Sequence, residues 1–148
     1  MTEERVRVLI VDDHEMVREG LRVLLGRDPA LEVVGEAATG LEALELVPQA
    51  RPDVVLMDLT MPVMDGAAAT ARIRAEYPLV QVVVLSGAGD RTLVEAALGA
   101  GAVSYLVKDS GHDAVTQAIH DAASGRGRVD GAALEAVRDR KRAGPGPT

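Results

Sequence analysis

Five short aliphatic runs recur along the chain, at 6–11, 31–37, 54–57, 82–85 and 104–107. Four of them are nearly unbroken Val, Leu, Ile or Met. A strand with no polar alternation must be covered on both faces, and that is the habit of parallel sheets. The exception, "LEVVGEA", alternates more and carries two Glu, which places it at a sheet edge. The segments between the runs have helical period: Val17, Leu21, Leu24 and Leu25 form one stripe, Leu41, Leu44 and Val47 a second, and Val115, Ile119 and Ala122 the last. Thr39 and Asp90 stand where N-caps are expected, and the third helix begins near Asp65. Pro29, Pro52 and Pro78 each fall between a helix and the next strand, where they stop the helix.

Five β–α units in series with right-handed crossovers predict a doubly wound α/β fold. The order 2-1-3-4-5, the flavodoxin-like arrangement, suits five strands. At 148 residues the chain fits one domain, assigned to 1–125. The 126–148 stretch reads as a linker-like tail with room for one short helix at 132–142. Its basic residues Arg138, Arg140, Lys141 and Arg142 read as a solvated linker or as a binding patch.

Composition removes several chemistries. With no Cys, disulfides and thiolate sites are excluded, and the three His (His14, His112, His120) lack metal-site spacing. A net charge of −7 argues against broad nucleic-acid binding by this chain alone. No signal-like segment opens the sequence and no run reaches 18 apolar residues. A cytoplasmic protein with no membrane partner is the expectation.

In the order 2-1-3-4-5, four neighbouring strands end on one edge with polar residues. The first ends in "VDDHE", delivering Asp12 and Asp13. The third ends at Asp58, the fourth at Ser86 before "GAGD", and the fifth at Lys108. Two unit charges 4 Å apart cost about 4 kcal/mol at an effective dielectric of 20. A hard divalent cation relieves that repulsion, and Mg²⁺ suits oxygen ligands beside a phosphate. A carboxylate can itself be a nucleophile toward phosphorus and, once ionised, needs no general base. Gly66 and Gly87 leave space, and Ser86 offers a hydroxyl. On their own, Asp12 and Asp13 read equally as helix-start acids, Lys108 as a solvated strand end, Ser86 as a turn cap, Tyr105 as edge packing, and His14 as a helix-start polar residue.

The pieces "VDDHEMVREGLRVLL", "DVVLMDLTMPVMDG", "VVVLSGAGD" and "GAVSYLVKD" together resemble the receiver domain of a two-component response regulator, over about residues 5–125. "DDH", "MDLTMPVMDG" and "GAVSYLVKD" most resemble the subfamily with a C-terminal helix-turn-helix output module. The resemblance implies that Asp58 accepts phosphate from a sensor histidine kinase. It implies that Asp13, Asp58 and the backbone carbonyl of Thr60 ligate Mg²⁺, with Asp12 on the metal or its water. Lys108 and Ser86 would bind the phosphoryl group, and Ser86 and Tyr105 would form the switch that alters the face of helix 4, strand 5 and helix 5. Such a chain is not a metabolic enzyme and catalyses only its own phosphorylation and dephosphorylation. The implied partners are the kinase, a second copy on activation, and DNA through an output module that 126–148 is too short to contain. Truncation before that module is therefore the expectation.

The chain departs from the family pattern in three places. Ser86 stands where Thr is commoner, Asp109 follows Lys108 where many receivers have Pro, and the 86–90 loop is rich in Gly. The last keeps open a degenerate receiver acting as a phosphorylation-independent interaction module. Other readings fit less. "GAGDRT" has Thr92 at the third glycine position of a dinucleotide fingerprint. The acidic loop after the first strand would repel an FMN phosphate. An aspartyl-nucleophile phosphatase wants a second acid where Thr60 stands.

Overall fold

The computed structural model describes residues 5–59, 61, 65–86, 91–107, 111–125 and 128–129. Strands and helices alternate as β1 (Val6–Val11), α1 (Glu15–Gly26), β2 (Leu31–Ala37), α2 (Gly40–Ala50), β3 (Val54–Asp58), α3 (Gly66–Glu76), β4 (Gln81–Ser86), α4 (Arg91–Gly99), β5 (Ser104–Val107) and α5 (His112–Ala123), followed by a two-residue strand β6 (Arg128–Val129). The sheet runs β2-β1-β3-β4-β5-β6. Every pair is parallel. The expected order 2-1-3-4-5 is present, with "LEVVGEA" at its edge, and β6 extends the other side by pairing with Ser104 and Tyr105. The proposed helix at 132–142 lies outside the described residues.

The unbroken aliphatic runs have a direct structural reason. Successive side chains of a strand point to opposite faces. Leu9, Val11, Val55, Met57, Val82 and Val84 enter the layer formed with α2, α3 and α4. Their neighbours Val8, Ile10, Val54, Leu56, Val83 and Leu85 enter the layer formed with α1 and α5. Neither face can carry a polar residue without burying it. Val115, Ile119 and Ala122 are buried, and Leu21, Leu24 and Leu25 pack into the same layer.

Helix starts follow their caps. Thr39 Oγ1 accepts from the Glu42 N–H at 3.1 Å, while Glu42 Oε1 accepts from the Ala38 N–H at 2.6 Å. Asp65 Oδ1 accepts from the Ala68 N–H at 2.8 Å. Asp90 lies outside the described residues. Of the stripe expected on α2, Val47 is buried and Leu44 packs against the core, but Leu41 does not. Leu41 is 48% exposed, and the inward face is Gly40, Ala43 and Val47. These three recur at i, i+3 and i+7, and small residues at the first two let the helix lie close to the sheet.

The β1–β2 ladder contains a register shift. Val8 pairs with Val33 but Leu9 pairs with Gly35, so Val34 is an extra residue. From there Glu36 lies beside Ile10 and Ala37 beside Val11. Among the described residues no helix is long and apolar enough to cross a membrane.

Candidate functional site

The parallel register assembles the acidic edge. Val11 pairs with Met57, so the next residues along, Asp12 and Asp58, leave the sheet side by side. Asp12 is fixed through its N–H, which donates to the Ala37 carbonyl at 3.0 Å. Beyond Asp58, the Leu59 N–H donates to the Leu85 carbonyl at 3.1 Å, continuing the ladder toward β4. Asp12 and Asp58 are each only 2% exposed. The Asp13 side chain is 27% exposed.

Carboxylate oxygens of Asp12, Asp13 and Asp58 and a ring nitrogen of His14 all lie within 4.8 Å of one another. At that separation a carboxylate pair repels by roughly 3–4 kcal/mol at an effective dielectric of 20. His14 answers part of it. Its backbone N–H donates to Asp12 Oδ1 at 2.9 Å. Its Nδ1 lies 3.2 Å from the same oxygen and 3.1 Å from Asp13 Oδ1. The Asp13 contact lacks hydrogen-bond geometry, so Asp13 Oδ1 is buried with no hydrogen-bond partner. Three converging carboxylates and such an oxygen fit a hard, oxygen-seeking divalent cation.

His14 is the N-cap residue of α1 but makes no side-chain cap. The reading as a helix-start residue is therefore incomplete, since the ring turns toward the acids. The one signal for this in the sequence was its adjacency to Asp12–Asp13.

Gly66 does leave space, but backbone occupies it. A Cβ on Gly66 would stand 2.3 Å from the Asp58 carbonyl oxygen and 2.7 Å from the Leu59 Cα. The Gly66 N–H donates to the Leu59 carbonyl at 3.0 Å, so the start of α3 is drawn directly against the end of β3. Thr70, wholly buried, donates its hydroxyl to the Gly66 carbonyl at 2.7 Å.

Tyr105 is 0% exposed and packs in the layer that contains Ala97 and Ala102. It pairs with Val84 on one side and Val129 on the other. Ser86 ends β4 and pairs through its backbone with Val107. The Ser86 side chain, Thr60, Gly87, Lys108 and the Lys108–Asp109 bond lie outside the described residues.

Sequence reasoning missed Arg18 and Glu36. Arg18 Nη1 donates to the Asp12 backbone carbonyl at 2.6 Å, and its Nε lies 3.3 Å from Glu36 Oε1. Glu36 Oε2 also meets Arg22 Nη1 at 2.6 Å. That hydrogen bond and the Glu36 charge raise the Arg22 guanidinium above its ordinary value.

A family model described as the response regulator receiver domain matches residues 8–120. The chain is 41% identical over 137 residues to the transcriptional regulatory protein LiaR of Bacillus subtilis, covering 93% of this chain and 65% of that one. It is 40% identical over 133 residues to the DNA-binding transcriptional activator DevR/DosR of Mycobacterium tuberculosis, covering 89% and 61%. Among solved structures, a two-component response regulator of the LuxR family from Aurantimonas sp. SI85-9A1 superposes with a TM-score of 0.86 at 33% identity, covering 94% of this chain and 99% of that one. The chain spans about half to two thirds of the length of the curated relatives it matches.

Proposed function

The chain belongs to the response regulator receiver domain family, and from that premise we propose that it is a phosphorylation-controlled switch whose phosphoacceptor is Asp58. One observation carries the reading. Asp58 is 2% exposed at a strand end, with oxygens of Asp12 and Asp13 gathered within 4.8 Å, and no general base is needed there.

In this reading an Asp58 carboxylate oxygen attacks phosphorus of a kinase phosphohistidine. The P–O bond forms as the P–N bond breaks, and the imidazole keeps the electron pair and takes a proton from solvent. Asp12, Asp13, Asp58 and the Thr60 backbone carbonyl would hold Mg²⁺, which supplies neutralisation of charge on the transferring group. Lys108 would pair with a phosphoryl oxygen and the Ser86 hydroxyl would donate to another. Tyr105, already inside the α4 layer, would register the change and pass it to the face made by α4, β5 and α5. A sensor histidine kinase is the donor, and a second copy binds on activation. Transcription is the output, as for the transcriptional regulators LiaR and DevR/DosR that the chain resembles.

The test is acetyl phosphate or beryllofluoride with Mg²⁺, read by intact mass and by calorimetry. The expected result is one phosphoryl group per chain, lost in Asp58→Ala. Mg²⁺ at 100 times its Kd should stabilise the fold by about 2.7 kcal/mol. Modification that survives Asp58→Ala sinks the reading. Absence of Mg²⁺ binding near neutral pH replaces it with a phosphorylation-independent interaction module.

A further inference from the structure

The Asp12 backbone is tied at each of its polar groups. Its N–H reaches the Ala37 carbonyl at 3.0 Å and its carbonyl accepts from Arg18 Nη1 at 2.6 Å. Its Oδ1 accepts from the His14 N–H at 2.9 Å. The Ala37 tie joins Asp12 to β2 through the ladder, and the Arg18 tie adds a second route to that strand, because it does not end on Arg18. The guanidinium is held in turn by Glu36 at 3.3 Å, and Glu36 belongs to β2. The extra residue at Val34 is what sets Glu36 beside Ile10, near the carboxyl end of β1. The Arg18 side chain is only 17% exposed.

Arg18 suits the task chemically. A guanidinium is planar and donates in two fixed directions, here one toward Glu36 and one toward a carbonyl. Lysine carries a compact ammonium with three rotatable donors and lacks the rigid fork that fixes two directions at once. Glu36 is shared between Arg18 and Arg22, so it offsets only part of the positive charge of the two guanidiniums.

Mg²⁺ and Ca²⁺ ask different things of such a site. Mg²⁺ demands short, near-octahedral ligands, whereas Ca²⁺ accepts irregular and flexible ones. Stiffness in the segment carrying Asp12 and Asp13 therefore favours Mg²⁺ selectively. We propose that Arg18, held by Glu36, is a positioning residue that sets the preference of the site for Mg²⁺ over Ca²⁺ by fixing the backbone of Asp12. This rests on the receiver reading of the site. Partners that orient metal ligands are worth about 10–100-fold in affinity when removed.

The experiment is calorimetric titration of MgCl₂ and CaCl₂ into the wild-type chain, Arg18→Lys, Glu36→Gln and the double variant, with circular dichroism to establish folding. Arg18→Lys should weaken Mg²⁺ about 10-fold and Ca²⁺ several-fold less, so that the Mg²⁺/Ca²⁺ affinity ratio falls. Glu36→Gln should move the ratio the same way by less. The double variant should be no worse than Arg18→Lys, since both act through one chain of contacts. A ratio unchanged in the folded variants overturns the proposal, whatever happens to the melting temperature, and Glu36→Gln alone decides it if Arg18→Lys does not fold. A wild-type chain that binds neither ion is a different failure, which removes the Mg²⁺-dependent phosphorylation reading and this proposal together.

Discussion

Replacing Gly66 with alanine tests how tightly β3 and α3 are joined. A Cβ there would lie 2.3 Å from the Asp58 carbonyl oxygen, 2.7 Å from the Leu59 Cα and 3.0 Å from the Asp58 carbonyl carbon. An ordinary carbon–oxygen contact is about 1 Å longer than the first of these, and all three neighbours are backbone, so no side chain can swing aside. Relief requires the start of α3 to retreat, stretching the 3.0 Å hydrogen bond from Gly66 to Leu59. Overpacking of this kind costs about 1–3 kcal/mol, offset in part by the lower chain entropy of alanine, about 0.5–1 kcal/mol. The expected net loss is about 1–2 kcal/mol, a melting temperature lower by roughly 4–8 °C, with slower acetyl phosphate labelling because Asp58 moves with its own carbonyl. Gly20 supplies the opposite case. It lies inside α1, is exposed, and a Cβ there meets nothing within 4 Å. Gly20→Ala should stabilise by about 0.5–1 kcal/mol. Urea denaturation of both variants measures the difference. Equal signs for the two substitutions, or a Gly66→Ala chain as stable as wild type, would refute the close approach of α3 to β3.

Thr39→Ala removes the Oγ1 that accepts from the Glu42 N–H and should lower stability by about 1 kcal/mol in urea, with Thr39→Ser restoring most of it. Asp28 and His120 give a pH dependence. His120 Nε2 lies 2.8 Å from Asp28 Oδ2, and this bond, followed by the one from the Ala30 N–H, holds the Asp28 carboxyl below its ordinary 3.8. A depressed carboxyl stabilises the fold above its unfolded value and loses that contribution as pH falls through the folded one. The urea midpoint of wild type should therefore exceed that of Asp28→Asn at neutral pH, and the gap should close as pH falls below 3.8; a gap constant with pH would count against the linkage.

What the sequence made legible follows from two kinds of rule. Both-face burial leaves a composition signal, so the strands could be read from aliphatic runs, and their parallel order from the helical segments that alternate with them. Caps leave a residue-type signal, so Thr39 and Asp65 could be placed at the starts of α2 and α3. The convergence of Asp12, Asp13 and Asp58 followed once the strand order was set. The features that escaped depend on groups every residue shares or on the partner strand. Arg18 acts on a backbone carbonyl, which no sequence pattern marks. The extra residue in β2 is defined only against β1. On α2, Leu44 and Val47 pack inward as expected, but Gly40 and Ala43 take the close approach that the larger Leu41 was expected to fill. A two-residue strand such as Arg128–Val129 has no period to detect.

Burying two carboxylates at 2% exposure beside a third is unfavourable for a fold considered alone. The surrounding structure carries that cost. Asp12 follows the four buried residues Val8, Leu9, Ile10 and Val11, Asp58 ends a strand buried throughout, and α3 is pinned against the end of β3 by Gly66 and Thr70. A rigid frame of this kind prevents the acids from relaxing apart into solvent. The electrostatic repulsion therefore remains available at the strand ends, where a cation or a phosphoryl group can alter it. Tyr105 pairs with Val84 of β4 and packs in the layer beneath α4, so the acidic edge and that layer share one sheet.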